Sequence, residues 1–472
     1  MKKRKHKIIE EIKIIENASH ASDIDVRRHF YAKLFAIALP MALQNLVSSS
    51  LNLIDTFMIS SLSTASIAGV TAANKLFFIL FLFLFGISSG SSILTAQYWG
   101  VKDVKNIRRV LGICLMLGIS GAFLFTSAAL FAPEMVMRIF TNQPGAISEG
   151  ASYLRIIGLS YIPTSITFAY VFILRSTGNV KLPMKISIIA IMLNTFLNWV
   201  LIYGNLGAPA LGVSGAAIAT VIARGLEFAL LMGIIYRNNE VAAARLHELL
   251  DINKTFFAKY IKTVLPVIFN ELIWAVGVTM YDLVYGRMGE SVMAAMGITK
   301  TIEQMTFFFI YSLGNASGVI LGNQMGTGDM TQVFYYAKKL VKIMVIIGLS
   351  MSVILFIASG PLASFFQVEP LVATYIQNCI RVLAIVTVVK GLNMLIIVGI
   401  LRSGGDTTFA MYLDGGAVWL VAVPLVFLGG FVWKLEIQYV YMLALTEEFI
   451  KVSIGLYRVW SKKWINNLIF EE

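Results

Sequence analysis

A chain of 472 residues that is 58% hydrophobic, only 14% charged and carries a net charge of +12 has far more apolar surface than one water-soluble core can bury. That balance excludes an ordinary soluble enzyme and indicates a polytopic membrane protein. Two lone cysteines in apolar runs, Cys114 and Cys379, and four scattered histidines give no disulfide framework and no metal, P-loop or nucleophile-elbow spacing.

The chain begins MKKRKHKIIEEIK and stays polar to about Arg28, without the short apolar core and A-x-A site of a cleavable signal. Residues 1–30 therefore read as a cytoplasmic tail. Twelve apolar stretches of spanning length follow, near 34–60, 67–98, 108–131, 150–173, 183–203, 211–236, 258–285, 292–323, 337–359, 372–400, 409–431 and 437–458. The longest polar interruption runs from Arg237 to Tyr260 and separates six spans from six. The expected organisation is a first lobe over 31–236, a linker over 237–257, a second lobe over 258–458 and a C-terminal tail over 459–472.

Lys and Arg set the orientation. They crowd the tail, the turn at Lys102, Lys105, Arg108 and Arg109, the turn at Arg175, Lys181 and Lys185, the linker, and the turn at Lys338, Lys339 and Lys342. The alternate connections hold only Arg138, Arg287 and Lys434. Both termini are thus expected on the cytoplasmic side of a plasma membrane. The positive charge is accounted for by the bilayer, with no nucleic-acid partner implied.

The two halves repeat. ILRSTGNVKLPM (Ile173–Met184) returns as ILRSGGDTTFAM (Ile400–Met411), identical at six of twelve positions. Pro40 matches Pro266, Gly100-Val101-Lys102-Asp103 matches Gly326-Thr327-Gly328-Asp329, and Arg155 matches Arg381, each 226 residues apart; Arg175 and Arg402 are 227 apart. Six spans per half make the repeat parallel, and transporters place substrate sites at such repeat interfaces. Arg175 and Arg402 read as interface anchors that also cap a helix C-terminus.

Ionisable groups inside spans are functional candidates by default. Asp55 lies late in span 1, in LVSSSLNLIDTFMISSL, and suits a proton or sodium ion. Asn194 and Asn198 share one face of span 5, and Thr220 lies in span 6; these oxygens and one carboxylate suit a hard cation. The same oxygens also serve interhelical bonding. In the second half Glu271 and Asp282 share a face of span 7, and Glu303, Asp406 and Asp414 are further acids. Gln44 in span 1 is a substrate-side candidate. Lys75 and Lys300 open matching spans and either snorkel or pair with an acid. Pro40 and Pro266 each free a backbone carbonyl and so mark a kink.

With these residues in view, IALPMALQNLVSSSLNLIDTFMIS, LNTFLNWVLIYGNLGAPALGVSGAAIAT and the LRSTGN/LRSGGDT pair resemble the multidrug and toxic compound extrusion (MATE) family over about residues 31–458. The resemblance implies an all-α membrane protein of twelve helices in two six-helix bundles. It also implies efflux of cationic or amphipathic compounds in exchange for sodium ions or protons, by a monomer without cofactor or enzymatic activity. Carried over, the family's first-lobe cation site falls on Asp55, Asn194, Asn198 and Thr220. Some members have Asp where this chain has Asn198, so the single acid resembles the sodium-type arrangement, with a proton left open. Family members with a second-lobe site use acids on spans 7 and 10; Asp406 matches that pattern better than Glu271, which lies nearer Pro266. Two other readings remain: a lipid-linked oligosaccharide flippase of the same broad superfamily, and an intramembrane aspartyl protease using Tyr281-Asp282 and Gly405-Asp406.

Overall fold

The computed structural model describes Arg28, residues 30–50, Ile54, residues 57–59 and residues 62–470. Every regular element among them is helical. Lipid offers the backbone no hydrogen-bond partner, so each apolar stretch satisfies its own amides by coiling. Among the described residues eleven helices are long and apolar enough to cross a membrane: α1 (Phe30–Ser50), α2 (Thr64–Gly100), α3 (Val104–Phe131), α4 (Pro144–Ser176), α5 (Lys181–Tyr203), α6 (Gly212–Arg237), α7 (Lys254–Met288), α8 (Glu290–Gly326), α9 (Met330–Phe365), α10 (Pro370–Leu401) and α11 (Thr407–Val432). The twelfth, α12, comes in two pieces, Ile437–Ala444 and Thr446–Trp460. Its first 18 residues hold Glu447, Glu448 and Lys451, which dilute its apolar character. Pro40 and Pro266 both lie inside unbroken helices.

The repeat is visible at the level of single caps. Asp103 opens α3 with φ −78 and ψ 80, its carboxylate accepting from Asn106 N at 3.0 Å. Asp329 opens α9 with φ −83 and ψ 82, accepting from Gln332 N at 3.0 Å. Each carboxylate satisfies an amide that the helix itself leaves orphaned. The step from 226 to 227 between the halves also has a structural basis. The last turn of α10, Leu395–Leu401, is a π-helix, and Arg402 N bonds back to Ile397 O at 3.1 Å. A π turn accommodates one extra residue in an α-helix, and it falls between the landmarks at Arg381 and Arg402.

The halves meet through the first part of α1, the last part of α2, and helices α7 and α8. Phe30, Leu34, Ile37 and Met41 of α1 belong to the core cluster of the second half, and the Phe30 ring sits 4.7 Å from that of Tyr336. Asn45 donates to Ser312 Oγ at 3.0 Å, and Ser91 and Tyr260 hydroxyls lie 2.7 Å apart. Closest of all are the repeat-mated glycines at the ends of α2 and α8. A Cβ on Gly100 would lie 2.3 Å from Asn323 O, and one on Gly326 would lie 2.0 Å from Gln97 O. Only glycine lets two backbones approach so far. These contacts fall toward the end where α1 begins and α2 ends, which is the end bearing the basic turns.

The connection between α6 and α7 is held against α3. Arg108 pairs with Glu248 at 2.5 Å and Arg109 with Asp251 at 2.6 Å. Gly112 makes room beneath: its Cβ would lie 1.9 Å from Leu249 O.

Candidate functional site

In the first half, α5 and α6 bring together three of the four residues expected to hold a cation. Asn194 Nδ2 donates to Thr220 Oγ1 at 3.2 Å, and Asn198 Nδ2 lies 3.5 Å from Asn194 Oδ1. Asn194 and Asn198 are one helical turn apart and buried, so their amides face α6 rather than lipid. Thr220 Oγ1 in turn donates to Ala216 O at 3.0 Å. The result is a small cluster of neutral oxygens in an otherwise apolar wall, fit for a hard cation if a carboxylate completes it. Asp55, the residue expected to do so, lies outside the described residues.

Toward the basic end of the same half runs a buried polar chain. Arg175 Nη2 donates to Gln44 Oε1 at 2.7 Å, Gln44 Nε2 donates to Ser187 Oγ at 2.9 Å, and Ser187 Oγ donates to Glu227 Oε1 at 2.6 Å. Arg224 closes it on the other Glu227 oxygen at 2.7 Å. Four helices, α4, α1, α5 and α6, are thereby tied together. Arg175 is not the interface anchor expected from its position at a helix end, because its guanidinium turns inward to Gln44. Burial of an unpaired guanidinium would be costly, and the Gln44 carbonyl partly meets that demand.

The second half is richer in charge and fully paired at the acids singled out in the sequence. Glu271 of α7 pairs with Arg402 at 2.8 Å, and both are nearly buried. Arg402 is therefore also no snorkelling anchor; the π turn before it carries its side chain in toward α7. Asp414 of α11 accepts from Lys451 Nζ at 2.6 Å and from Asn270 Nδ2 at 3.1 Å. Lys451 reaches Glu447 at 3.4 Å, and Tyr281 donates to Glu447 at 3.1 Å. Asp282 pairs with Lys300, as one of the two expectations for that lysine held, and Glu303 pairs with Lys390 and accepts from Tyr441 at 3.1 Å. Asn393 donates to Glu448 at 2.6 Å. Asp406 is gripped by Arg458 through two bonds of 2.7 and 3.1 Å. Glu271 and Asp282 share a helix face, yet they face different cations and form no common site.

Sequence reasoning missed Glu227, Lys390, Glu447, Glu448 and Lys451. All five lie inside predicted spans, so the rule that flags intramembrane charge would have found them had it been applied to every span. Glu447 and Lys451, one turn apart in TEEFIKVS, even carry a helical pairing signal.

A single family model, MatE, matches residues 40–200 and again 266–428. The chain belongs to the MatE family. Its two matched stretches open at Pro40 and Pro266, the pair that marks the internal repeat. Among curated relatives, a Bacillus subtilis (strain 168) protein described as probable multidrug resistance protein YoeA is 26% identical, covering 91% of this chain and 94% of the relative. Thermotoga maritima NorM, also described as a probable multidrug resistance protein, is 22% identical over 84% of each chain. A Vibrio cholerae MATE transporter superposes with a TM-score of 0.85 at 16% identity, covering 94% of this chain and 99% of that one. A Pyrococcus furiosus MOP superfamily transporter gives 0.83 at 17% identity, covering 93% and 96%. At those identities the two structures speak for the fold. This MatE chain is thus a multi-pass membrane protein of a multidrug efflux family whose relatives are transporters rather than enzymes. Its fold is the expected one of twelve helices in two parallel-repeated bundles.

Proposed function

We propose that this MatE protein exports cationic or amphipathic organic compounds in exchange for sodium ions or protons. The buried cluster of Asn194, Asn198 and Thr220 carries this reading. Three neutral oxygen-bearing side chains converge in the wall of one bundle, with the sequence placing one acid, Asp55, late in span 1. One carboxylate and neutral oxygens make a hard-cation or proton site. The names of the relatives support drug-like cargo.

Exchange requires the ion and the cargo to favour different states of one protein. The contacts between halves gather at the basic end, and positive charge marks that end as cytoplasmic. On this reading the basic end faces the cytoplasm and is the end at which the described residues of the two halves close on each other. Ion entry at the first bundle would drive the return after cargo leaves. The flippase reading calls for several unpaired cations to meet phosphates, whereas Arg402, Lys390 and Lys451 of the second bundle each have a carboxylate partner and Arg175 of the first is engaged by Gln44.

Purified protein in liposomes, loaded with a fluorescent organic cation, tests this directly. Sodium and pH gradients are imposed separately, and one of them should drive cargo movement in wild type and not in Asp55→Asn. Cargo movement driven equally well in Asp55→Asn would remove the first-lobe coupling site. No response to either gradient in wild type would remove exchange altogether.

A further inference from the structure

The segment after α12 lies across the basic end and touches both halves. Trp464 is completely buried within the core cluster of the second half, and its Nε1 donates to Val459 O at 3.1 Å. Four residues on, Leu468 and Ile469 pack against the cluster at the seam of the halves, which joins Leu94, Tyr98 and Ile107 of the first half to Tyr260 and Val264 of α7. Between these two anchors the backbone and amides are read by both sides. Asn466 N and Nδ2 both donate to Gly404 O, at 3.2 and 3.1 Å. Asn467 Nδ2 donates to Met325 O, at the end of α8, at 2.8 Å.

The receiving residue in the first half is Gln97 of α2, which has no exposed surface. Its Oε1 accepts from Leu468 N at 2.8 Å, and its Nε2 donates to Ser403 O at 2.9 Å and to Asn466 O at 3.3 Å. One amide side chain thus joins α2, the turn between α10 and α11, and the terminal segment. A buried amide that loses such partners pays the desolvation cost of each unsatisfied atom.

The repeat shows that the seat is particular to the second half. In ILRSGGD, a Cβ on Gly404 would lie 2.0 Å from Trp464 O, and one on Gly405, at φ +72, would lie 2.7 Å from Leu468 Cδ2. In ILRSTGN the residue matching Gly404 is Thr177, and Gly178 has nothing within 4 Å of where its Cβ would be. The second copy has glycine where the terminal segment lies, and the first copy carries Thr177 at the matching position.

We propose that residues 464–470 and Gln97 form a latch that holds the two bundles together at the basic end and must release when that end opens. The latch rests on the alternating-access reading above for its role in transport, though its geometry does not depend on which ion or cargo is used. Opening at that end separates α2 from α8 and from the α10–α11 turn. Gln97 would then leave its bonds to Ser403 and the terminal segment, and Leu468 and Ile469 would leave the first-half residues of the seam cluster or Trp464 the second-half core. The latch therefore favours the closed state, and weakening it shifts the population toward the open one.

Spin labels at Lys181→Cys and Lys338→Cys, in a Cys114→Ser/Cys379→Ser background, measure the separation of the halves at the basic end in lipid. The full chain, a chain lacking residues 462–472 and full-length Gln97→Leu are compared. The long-distance population should rise by at least about tenfold in both variants, the factor that a single lost net hydrogen bond supplies, and by more in the truncated chain, which loses the apolar anchors as well. Distance distributions unchanged in folded variants would overturn the latch. Should the truncated chain fail to fold, Gln97→Leu carries the decision, since it keeps the side-chain volume. Gradient-driven efflux with unshifted distances overturns the latch alone; shifted distances without any gradient-driven efflux overturn the exchange reading and leave the latch standing.

Discussion

Removing Lys451 should destabilise the second bundle more than any surface change of equal size. Its side chain is 1% exposed and its Nζ lies 2.6 Å from Asp414 and 3.4 Å from Glu447. At an effective dielectric of about 20, those separations correspond to attractions of about 6 and about 5 kcal/mol. The desolvation of three charges offsets most of that, so the pair adds little net stability. Truncating one partner is different, because the carboxylates stay buried without their cation, and such losses run to about 3–5 kcal/mol. Lys451→Met keeps most of the side-chain volume, so packing changes little. Unfolding in mixed micelles can be followed with a thiol-reactive dye, since Cys114 and Cys379 are both buried in the native state. Lys451→Met should lose about 3–5 kcal/mol, and adding Asp414→Asn should recover part of it, with a coupling of about 1–3 kcal/mol. Glu447 keeps the Tyr281 hydroxyl at 3.1 Å in both variants. A loss below about 1 kcal/mol, or strictly additive effects of the two substitutions, would refute the view that Lys451 holds two buried acids.

Three further outcomes follow from other parts of the chain. Gly326→Ala places a Cβ 2.0 Å from Gln97 O, so the ends of α2 and α8 must part; the Lys181/Lys338 spin-label pair should report a longer distance, and an unchanged distance would show that the contact yields elsewhere. In the α6–α7 connection, the Arg245 backbone N–H at 2.7 Å, then Arg108, holds the Glu248 carboxyl below its ordinary range, and Arg109 does the same for Asp251. Depressed carboxyls give stability that is present above the unfolded value and lost as pH falls through the folded one. Protection factors across residues 245–252, that is, exchange rates corrected for the intrinsic pH dependence of amide exchange, should therefore hold at neutral pH and fall below about pH 4; pH-independent protection factors would discount these pairs. Arg402→Gln leaves Glu271 buried without its cation, and Glu271→Gln in the same chain should restore stability lost in the single variant; the same micelle unfolding assay reads both.

Much of the fold is legible in the sequence itself. Apolar runs of spanning length can only be helices in lipid, so composition and span count led to an all-α membrane protein. Four landmarks at near-constant spacing exposed the repeat, and the family match divides at the same prolines. Asn194, Asn198 and Thr220 were legible as a group because i,i+4 spacing on a helix fixes a shared face. Harder to read was the fate of charge near helix ends. Arg175 and Arg402 sit where the positive-inside pattern predicts interface anchors, but local sequence carries no information on whether a neighbouring helix offers Gln44 or Glu271. The single-residue step in the repeat was visible as a number, 226 against 227, and only the backbone revealed it as a π turn that turns Arg402 inward.

Sequence alone determined what depends on solvent and period: which segments leave water, how many there are, where positive charge accumulates, and that the chain is written twice. Tertiary structure decided what depends on contacts between segments far apart in the chain. The buried acids of the second bundle found their partners on another helix or another turn, Glu271 at Arg402, Asp414 and Glu447 at Lys451, and Glu448 at the Asn393 amide, and the terminal residues found their seat beneath Gln97 and against Gly404. Those pairings follow from packing geometry, which brings residues hundreds of positions apart within hydrogen-bond reach and leaves no trace in local composition.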